Sequence, residues 1–165
     1  MEILVGIYSL AQKNFFVLGI NFRNQVIKNS IIIPVFNAEE HLALVLETLL
    51  KELPEDSEVI VVDDCSSDQS VAIAKTFPVR VLEEPVNRGP SASRNRGVEE
   101  SSGEILIFID ADVVLEERAL DTMFLILDDN PEILGINGLP SEVCPYSDWA
   151  SDYVNLSLLF QLLGH

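Results

Sequence analysis

Basic side chains are scarce in this 165-residue chain: 10 lysines and arginines stand against 27 aspartates and glutamates, a formal net charge of −17. No basic footprint is available to neutralise phosphates along a nucleic acid, so that class of partner is excluded. The same balance disfavours electrostatic docking to an anionic bilayer. Cysteine is rarer still. Cys65 and Cys144 are the only two and have no CxxC spacing. That argues against a disulfide framework or a structural zinc site and makes reduced thiols the default. Of the two histidines, His41 falls in the first turn of an expected helix among glutamates and reads as solvated, while His165 is terminal. No Ser-His-Asp or Cys-His arrangement can be built from them. Residues 1–20 begin Met1-Glu2, lack a basic leader and are interrupted by Lys13 and Asn14. They read poorly as a signal peptide or a spanning helix. The expectation is a cytoplasmic protein, with a peripheral position at the inner face of the membrane as a variant.

What is present is apolar. Hydrophobic residues make up 48% of the chain and mean hydropathy is +0.26, the upper edge of ordinary globular usage. The length suits one domain with a proper core, and the mild excess suggests apolar surface meant for a partner, a membrane surface or further chain. Residues 1–29 read as two short strands, 2–8 and 15–22, joined as a hairpin, or as an N-terminal arm. From there the pattern becomes regular. Strands are expected at 31–36, 58–62, 79–82, 104–109 and 133–137, with helices at 38–52, 67–76, 89–100 and 116–127 between them. Strands alternating with helices at this rhythm predict an α/β fold, a doubly wound, mostly parallel sheet with helices on both faces. A last helix, 148–164, is apolar around most of its circumference and carries no Lys or Arg. It must be buried against something, a second copy or further chain being the favoured covers.

The chemistry concentrates in loops that leave the carboxyl ends of strands. Asp110-Ala111-Asp112 follows the run Ile105-Leu106-Ile107-Phe108-Ile109, which reads as a strand buried on both faces. Open α/β sheets bind ligands at such strand ends. Two carboxylates one residue apart make a hard oxygen site suited to Mg²⁺ or Mn²⁺ with a bound phosphate; the bland alternative is an ordinary turn or a helix cap. Ahead of the next helix, Pro34-Val35-Phe36-Asn37-Ala38-Glu39-Glu40 puts Asn37 and Glu40 at the spacing of a capping box. That leaves Glu39 and an exposed Phe36 ring unexplained. In Asp63-Asp64-Cys65-Ser66-Ser67-Asp68 one of the two leading aspartates is assigned to a site and the other to structure, with Asp64 suited to accept from a base N–H and a ribose hydroxyl. Cys65 reads as a small loop residue. In Asn87-Arg88-Gly89-Pro90, glycine lets a helix N-terminus approach a diphosphate, with Arg88 as a guanidinium contact. Arg94 and Arg96 are as readily structural ion-pair partners.

Taken in order, Ile31-Ile32-Ile33-Pro34-Val35-Phe36-Asn37-Ala38-Glu39, Val61-Val62-Asp63-Asp64-Cys65-Ser66-Ser67-Asp68, Asn87-Arg88-Gly89 with Ala92-Ser93-Arg94-Asn95 and Gly97, and Asp110-Ala111-Asp112 closely resemble the family 2 glycosyltransferases of GT-A fold, over roughly residues 31–128. The resemblance implies a Rossmann-like nucleotide-sugar-binding domain at 30–140. It further implies that Pro34, Val35 and Glu39 line the base and ribose, that Asp64 recognises the base, and that Arg88 and Gly89 lie beside base or phosphates. Asp110 would contact ribose or the metal shell, with Ala111 beside it, and Asp112 would bind the Mn²⁺ or Mg²⁺ that bridges the diphosphate. The implied reaction is transfer from a nucleotide-diphosphate sugar, a UDP-sugar being the family's commonest, to a saccharide or lipid-linked acceptor with inversion, in cell-surface polysaccharide or glycolipid synthesis. One departure is Cys65, where the family usually has Gly or Asn. It is tolerable if the backbone there is open to other residues.

Inversion also needs a general base for the acceptor hydroxyl. In the family that carboxylate lies well beyond the Asp-Ala-Asp motif, and Glu142, Asp148 and Asp152 stand in no motif that marks it. The catalytic base is therefore unassigned. Residues 141–165 are expected to begin an acceptor-side segment, making the chain the donor-binding half of a longer enzyme. The competing readings are a nucleotide-sugar-binding module that does not transfer, and an assembly subunit that forms homo-oligomers through 148–164.

Overall fold

The computed structural model describes residues 6–9, 27–132 and 134–138. In chain order the elements are β1 (Gly6–Ser9), β2 (Asn29–Val35), α1 (Leu42–Glu52), β3 (Ser57–Asp63), α2 (Ser70–Ala74), β4 (Arg80–Glu83), α3 (Pro90–Glu100), β5 (Ile105–Phe108), α4 (Ala119–Asp129) and β6 (Gly135–Asn137). They form one six-stranded sheet in the order β4-β3-β2-β5-β1-β6. Strands β2, β3, β4 and β5 pair in parallel, and β1 runs antiparallel to both β5 and β6. The expected α/β sheet is present. Strand order, not polarity, reverses between β2 and β5: the chain leaves β2 toward β3 and β4, then returns to lay β5 on the other side. A crevice outside the carboxyl ends of the strands is set at such a reversal.

Strand periodicity divides the core in two. Ile31, Ile33, Val35, Val59, Val61, Ile107 and Ile109 face one way, against Leu42, Val45, Leu46 and Leu49 of α1, Ala74 of α2, and Leu120 and Met123 of α4. Ile32, Ile60, Val62, Leu106 and Phe108 face the other way, with Val98 of α3 packed on them. Apolar residues on both faces explain why these strands read as continuous runs rather than alternations. α3 lies close to the sheet because Gly97 is there; a Cβ at that position would overlap Ile32 Cγ2.

Several boundaries differ from the sequence expectation for identifiable reasons. α1 starts at Leu42, not residue 38, because Asn37 adopts a left-handed φ of 51°, and the residue before the helix, His41, makes no side-chain cap. The capping box is therefore absent. α2 is confined to Ser70–Ala74: Ser67 is held in the loop by Asn37 Oδ1, and Asp68 Oδ1 accepts the N–H of Ser70, the first helical residue, at 2.9 Å. The N-terminal hairpin is not what borders β1: both its edges are taken, by β5 and β6. Residues 15–22 and 148–164 lie outside the described residues. No helix among the described residues is long and apolar enough to cross a membrane.

Candidate functional site

Parity along the strands decides where each carboxylate points. Asp64 continues the register of Ile60 and Val62, and Asp110 that of Leu106 and Phe108, so both emerge on the α3 side of the sheet. Asp64 is buried, 3% exposed. Its Oδ1 accepts the Arg88 N–H at 2.8 Å and its Oδ2 the Gly89 N–H at 2.7 Å. One carboxylate thus holds the loop that enters α3. Gly89 has φ 86° and ψ 164°, a region open essentially only to glycine, and Pro90 occupies the first helical turn, where its missing N–H is harmless. The Arg88 side chain is exposed and has no partner among the described residues.

Asp110 meets α3 directly. Arg94 Nη2 donates to Asp110 Oδ1 at 2.5 Å, with the two side chains 19% and 20% exposed. Its other oxygen, Oδ2, accepts nothing among the described residues. Ala111 packs against the α1 face of the core. Asp112 sits in the following turn, exposed, with no hydrogen bond or ion pair among the described residues. Arg96, about half a turn along α3, is an ion-pair partner: it pairs with Glu84 at 3.2 Å and Glu100 at 2.7 Å. Hydrogen bonding from Arg80, with the charge of Arg96, holds the Glu100 carboxyl below its ordinary range.

On the α1 side the loops after β2 and β3 are laced together. Asn37 Oδ1 accepts the Ser67 N–H at 2.8 Å, and the Asn37 N–H donates to Ser66 Oγ at 2.9 Å. Glu39 Oε2 accepts the Gln69 N–H at 2.8 Å, while the Glu39 N–H donates to Asp68 Oδ2 at 3.0 Å. Asp68 Oδ1 also takes the Ser70 hydroxyl at 2.6 Å. Burial pushes the Asp68 carboxyl up, but the hydrogen bonds from Ser70 and from the Glu39 N–H together outweigh it and leave the group below its ordinary value. Asp63 is buried, with Oδ2 accepting the Ser66 N–H at 3.1 Å and Oδ1 unpartnered among the described residues. Cys65 does not sit in a generally permissive conformation: its φ is 65°, the left-handed region where glycine and asparagine fit best.

The strand ends therefore gather Asp64, Arg88, Gly89, Asp110 and Asp112 around the reversal point. Pro34 and Val35 are buried in β2. Val35 turns its side chain into the core and offers its carbonyl to the Asp64 N–H at 2.8 Å. Sequence reasoning left the partner of Arg94 open, and it proves to be Asp110; it also left Val86 aside. Phe36 and Val86 are 52% and 57% exposed, an apolar rim at the ends of β2 and β4. A separate hollow, lined by Thr48, Glu52, Leu115 and Arg118 among others, lies at the far end of α1, away from these groups. No group of three or more His, Cys, Asp or Glu side chains able to hold a metal occurs among the described residues. The turn supplies one unengaged carboxylate, enough for an ion whose other ligands are phosphate oxygens and water.

The family model of Glycosyl transferase family 2 matches residues 30–156. A poly(ribitol-phosphate) beta-glucosyltransferase of Bacillus spizizenii is 32% identical over 151 residues, 82% of this chain and 24% of that protein. Among solved structures, Staphylococcus aureus TarS in complex with UDP-GlcNAc superposes with a TM-score of 0.59 at 31% identity, covering 63% of this chain and 32% of that one. The mannosyltransferase PcManGT of Pyrobaculum calidifontis, in complex with GDP-Man and Mn²⁺, gives 0.50 at 28% identity, over 58% and 30%. The chain spans about a third or less of the length of these relatives.

Proposed function

The chain belongs to glycosyl transferase family 2, and from that premise we propose that it forms the donor-binding part of an enzyme moving a sugar from a nucleoside-diphosphate sugar to an acceptor hydroxyl. One observation carries the reading: the loops after β3, β4 and β5 bring Asp64, Arg88 and the Asp110–Asp112 turn to the strand ends where the strand order reverses. A UDP-sugar is the donor favoured, since TarS is solved with UDP-GlcNAc. GDP-mannose, held by PcManGT, is the other choice to test.

Each group has a role in this scheme. The exposed Phe36 ring offers a face for a base to stack on, beside the strand end that carries Asp64. Arg88 has an uncommitted guanidinium for the diphosphate, and Asp110 Oδ2 remains able to accept from a ribose hydroxyl. Asp112, with the diphosphate oxygens, would hold Mn²⁺ or Mg²⁺. Such an ion, when bound, stabilises the negative charge that builds on the leaving phosphate. The acceptor oxygen attacks the anomeric carbon as its bond to the diphosphate breaks, inverting that centre, and the acceptor proton passes to a carboxylate base that is not assigned to a residue. The acceptor is a saccharide or polyol chain, a class supported by the poly(ribitol-phosphate) relatives.

Calorimetric titration with UDP and with GDP, each with and without Mn²⁺, tests the reading. UDP is expected to bind more tightly with Mn²⁺, and at about 100-fold excess over Kd to add roughly 2.7 kcal/mol of stability. That would appear as a melting shift of several degrees. A folded protein that binds neither nucleotide would sink the reading and leave the motifs as scaffold.

A further inference from the structure

The structure assigns to Arg94 a positioning role at the donor site: it occupies Asp110, so that Asp112 alone remains to take a divalent cation. The two aspartates are equivalent in sequence, and a cation site built from both would be the simpler design. Their surroundings differ. Asp110 lies on the α3 face by strand parity, and α3 presents Arg94 to it at 2.5 Å through Nη2. The contact is end-on, from one guanidinium nitrogen; Nε is buried and unpartnered among the described residues. A two-point grip would have consumed both carboxylate oxygens. The single one neutralises Asp110 in charge yet leaves Oδ2 open to an uncharged donor. Asp112, past the turn, has no cationic partner among the described residues.

The consequence is a division of labour. With Arg94 in place, the Asp110–Asp112 turn carries one net negative charge, a poor trap for a bare cation. The ion is then held well only when a diphosphate arrives with it. Without the arginine, two adjacent carboxylates would face solvent, and a divalent ion would settle there ahead of the nucleotide. Arg94 thereby makes cation binding depend on nucleotide binding. This extends the donor-site reading above, but its electrostatic core can be tested without any nucleotide.

The experiment is Mn²⁺ binding, followed by the electron paramagnetic resonance signal of the free ion, in the absence of nucleotide. Wild type should bind weakly. Arg94→Gln should bind roughly fivefold more tightly, the weight of one unit charge removed about 8 Å from a divalent ion in water. Arg94→Gln/Asp110→Asn should return to wild type. A role for Arg94 in folding alone would not raise cation affinity. Equal Mn²⁺ binding by wild type and Arg94→Gln would overturn the assignment, as would a double variant that keeps the tighter binding. Should Arg94→Gln not fold, Asp110→Asn carries the test. It leaves the Arg94 charge uncompensated and should weaken Mn²⁺ binding by only about fivefold, and losing the ion as fully as Asp112→Asn does would make Asp110 a ligand and end the proposal. Failure of the donor-site reading looks different: wild type would ignore UDP while the Mn²⁺ pattern among the variants held.

Discussion

The loops after β2 and β3 and the turn after β5 are adjacent, both acidic, and treat their carboxylates in opposite ways. In the first region Glu39, Asp63, Asp64 and Asp68 all give oxygens to backbone N–H groups. In the second, Asp112 gives none among the described residues. The difference comes from backbone shape. Left-handed residues at Asn37 and Cys65, with Gly89 at the entrance to α3, turn N–H groups inward toward side chains that can accept them. The β5 turn has no such donors aimed at Asp112. Charge-assisted hydrogen bonds of this kind hold a loop in place before any ligand arrives; an unengaged carboxylate is what a ligand can use. Acidic residues that look alike in sequence thus divide into those that build the site and one left for binding.

Breaking the built side should give the largest effect. Asp64→Asn replaces a buried anionic acceptor that holds two partly buried N–H groups, and a loss of about 3 kcal/mol is expected, measured by urea unfolding. A loss under about 1 kcal/mol would mean that the loop before α3 is held by other means. Gly89→Ala should follow at about 2 kcal/mol, the strain of a side chain in that backbone region. The left-handed loop can also be eased: Cys65→Asn should raise stability by about 0.5 kcal/mol, and a decrease would show that the thiol contact with the Pro85 carbonyl matters more than the backbone.

The laced loops carry a pH signature. Because the folded protein holds the Asp68 carboxyl below its ordinary value of 3.8, the charged form favours folding. Its contribution is complete above that pH and fades as pH falls through the lower folded value. The stability gap between wild type and Asp68→Asn should therefore be steady near neutrality and close in stronger acid. A gap that widened on acidification would reverse the sign of the argument. The smallest effect on stability belongs to the unengaged group: Asp112→Asn should stay within about 0.5 kcal/mol of wild type.

Much of this arrangement was legible in the chain. The apolar runs of β2, β3 and β5 declared buried parallel strands, and the position of Asp110-Ala111-Asp112 at the end of one of them pointed to the site. What could not be read were contacts made across the sheet. Asn37 and Glu40 had the spacing of a cap, but local spacing gives no account of Ser66 and Ser67 arriving from the next loop, and tertiary hydrogen bonds took Asn37 out of the helix. Arg94 offered the same signal as Arg96, a basic residue on a helix; the parity of β5 turns Asp110 toward α3, and the two arginines, two residues and so about 200° apart around that helix, meet Asp110 in one case and Glu84 and Glu100 in the other. The place of β1 between β5 and β6 depends on pairing with strands a hundred residues away, which no local pattern encodes.

The central claim is that a nucleoside diphosphate binds at the strand ends around the β2–β5 reversal. Backbone hydrogen exchange, read by mass spectrometry with and without UDP and Mn²⁺, tests it most directly. The account predicts slowed exchange confined to residues 34–39, 63–68, 86–94 and 109–113, with protection at 109–113 lost in Asp112→Asn. Protection centred instead on the hollow around Thr48, Glu52 and Arg118, or none at all in protein that has bound UDP, would contradict it.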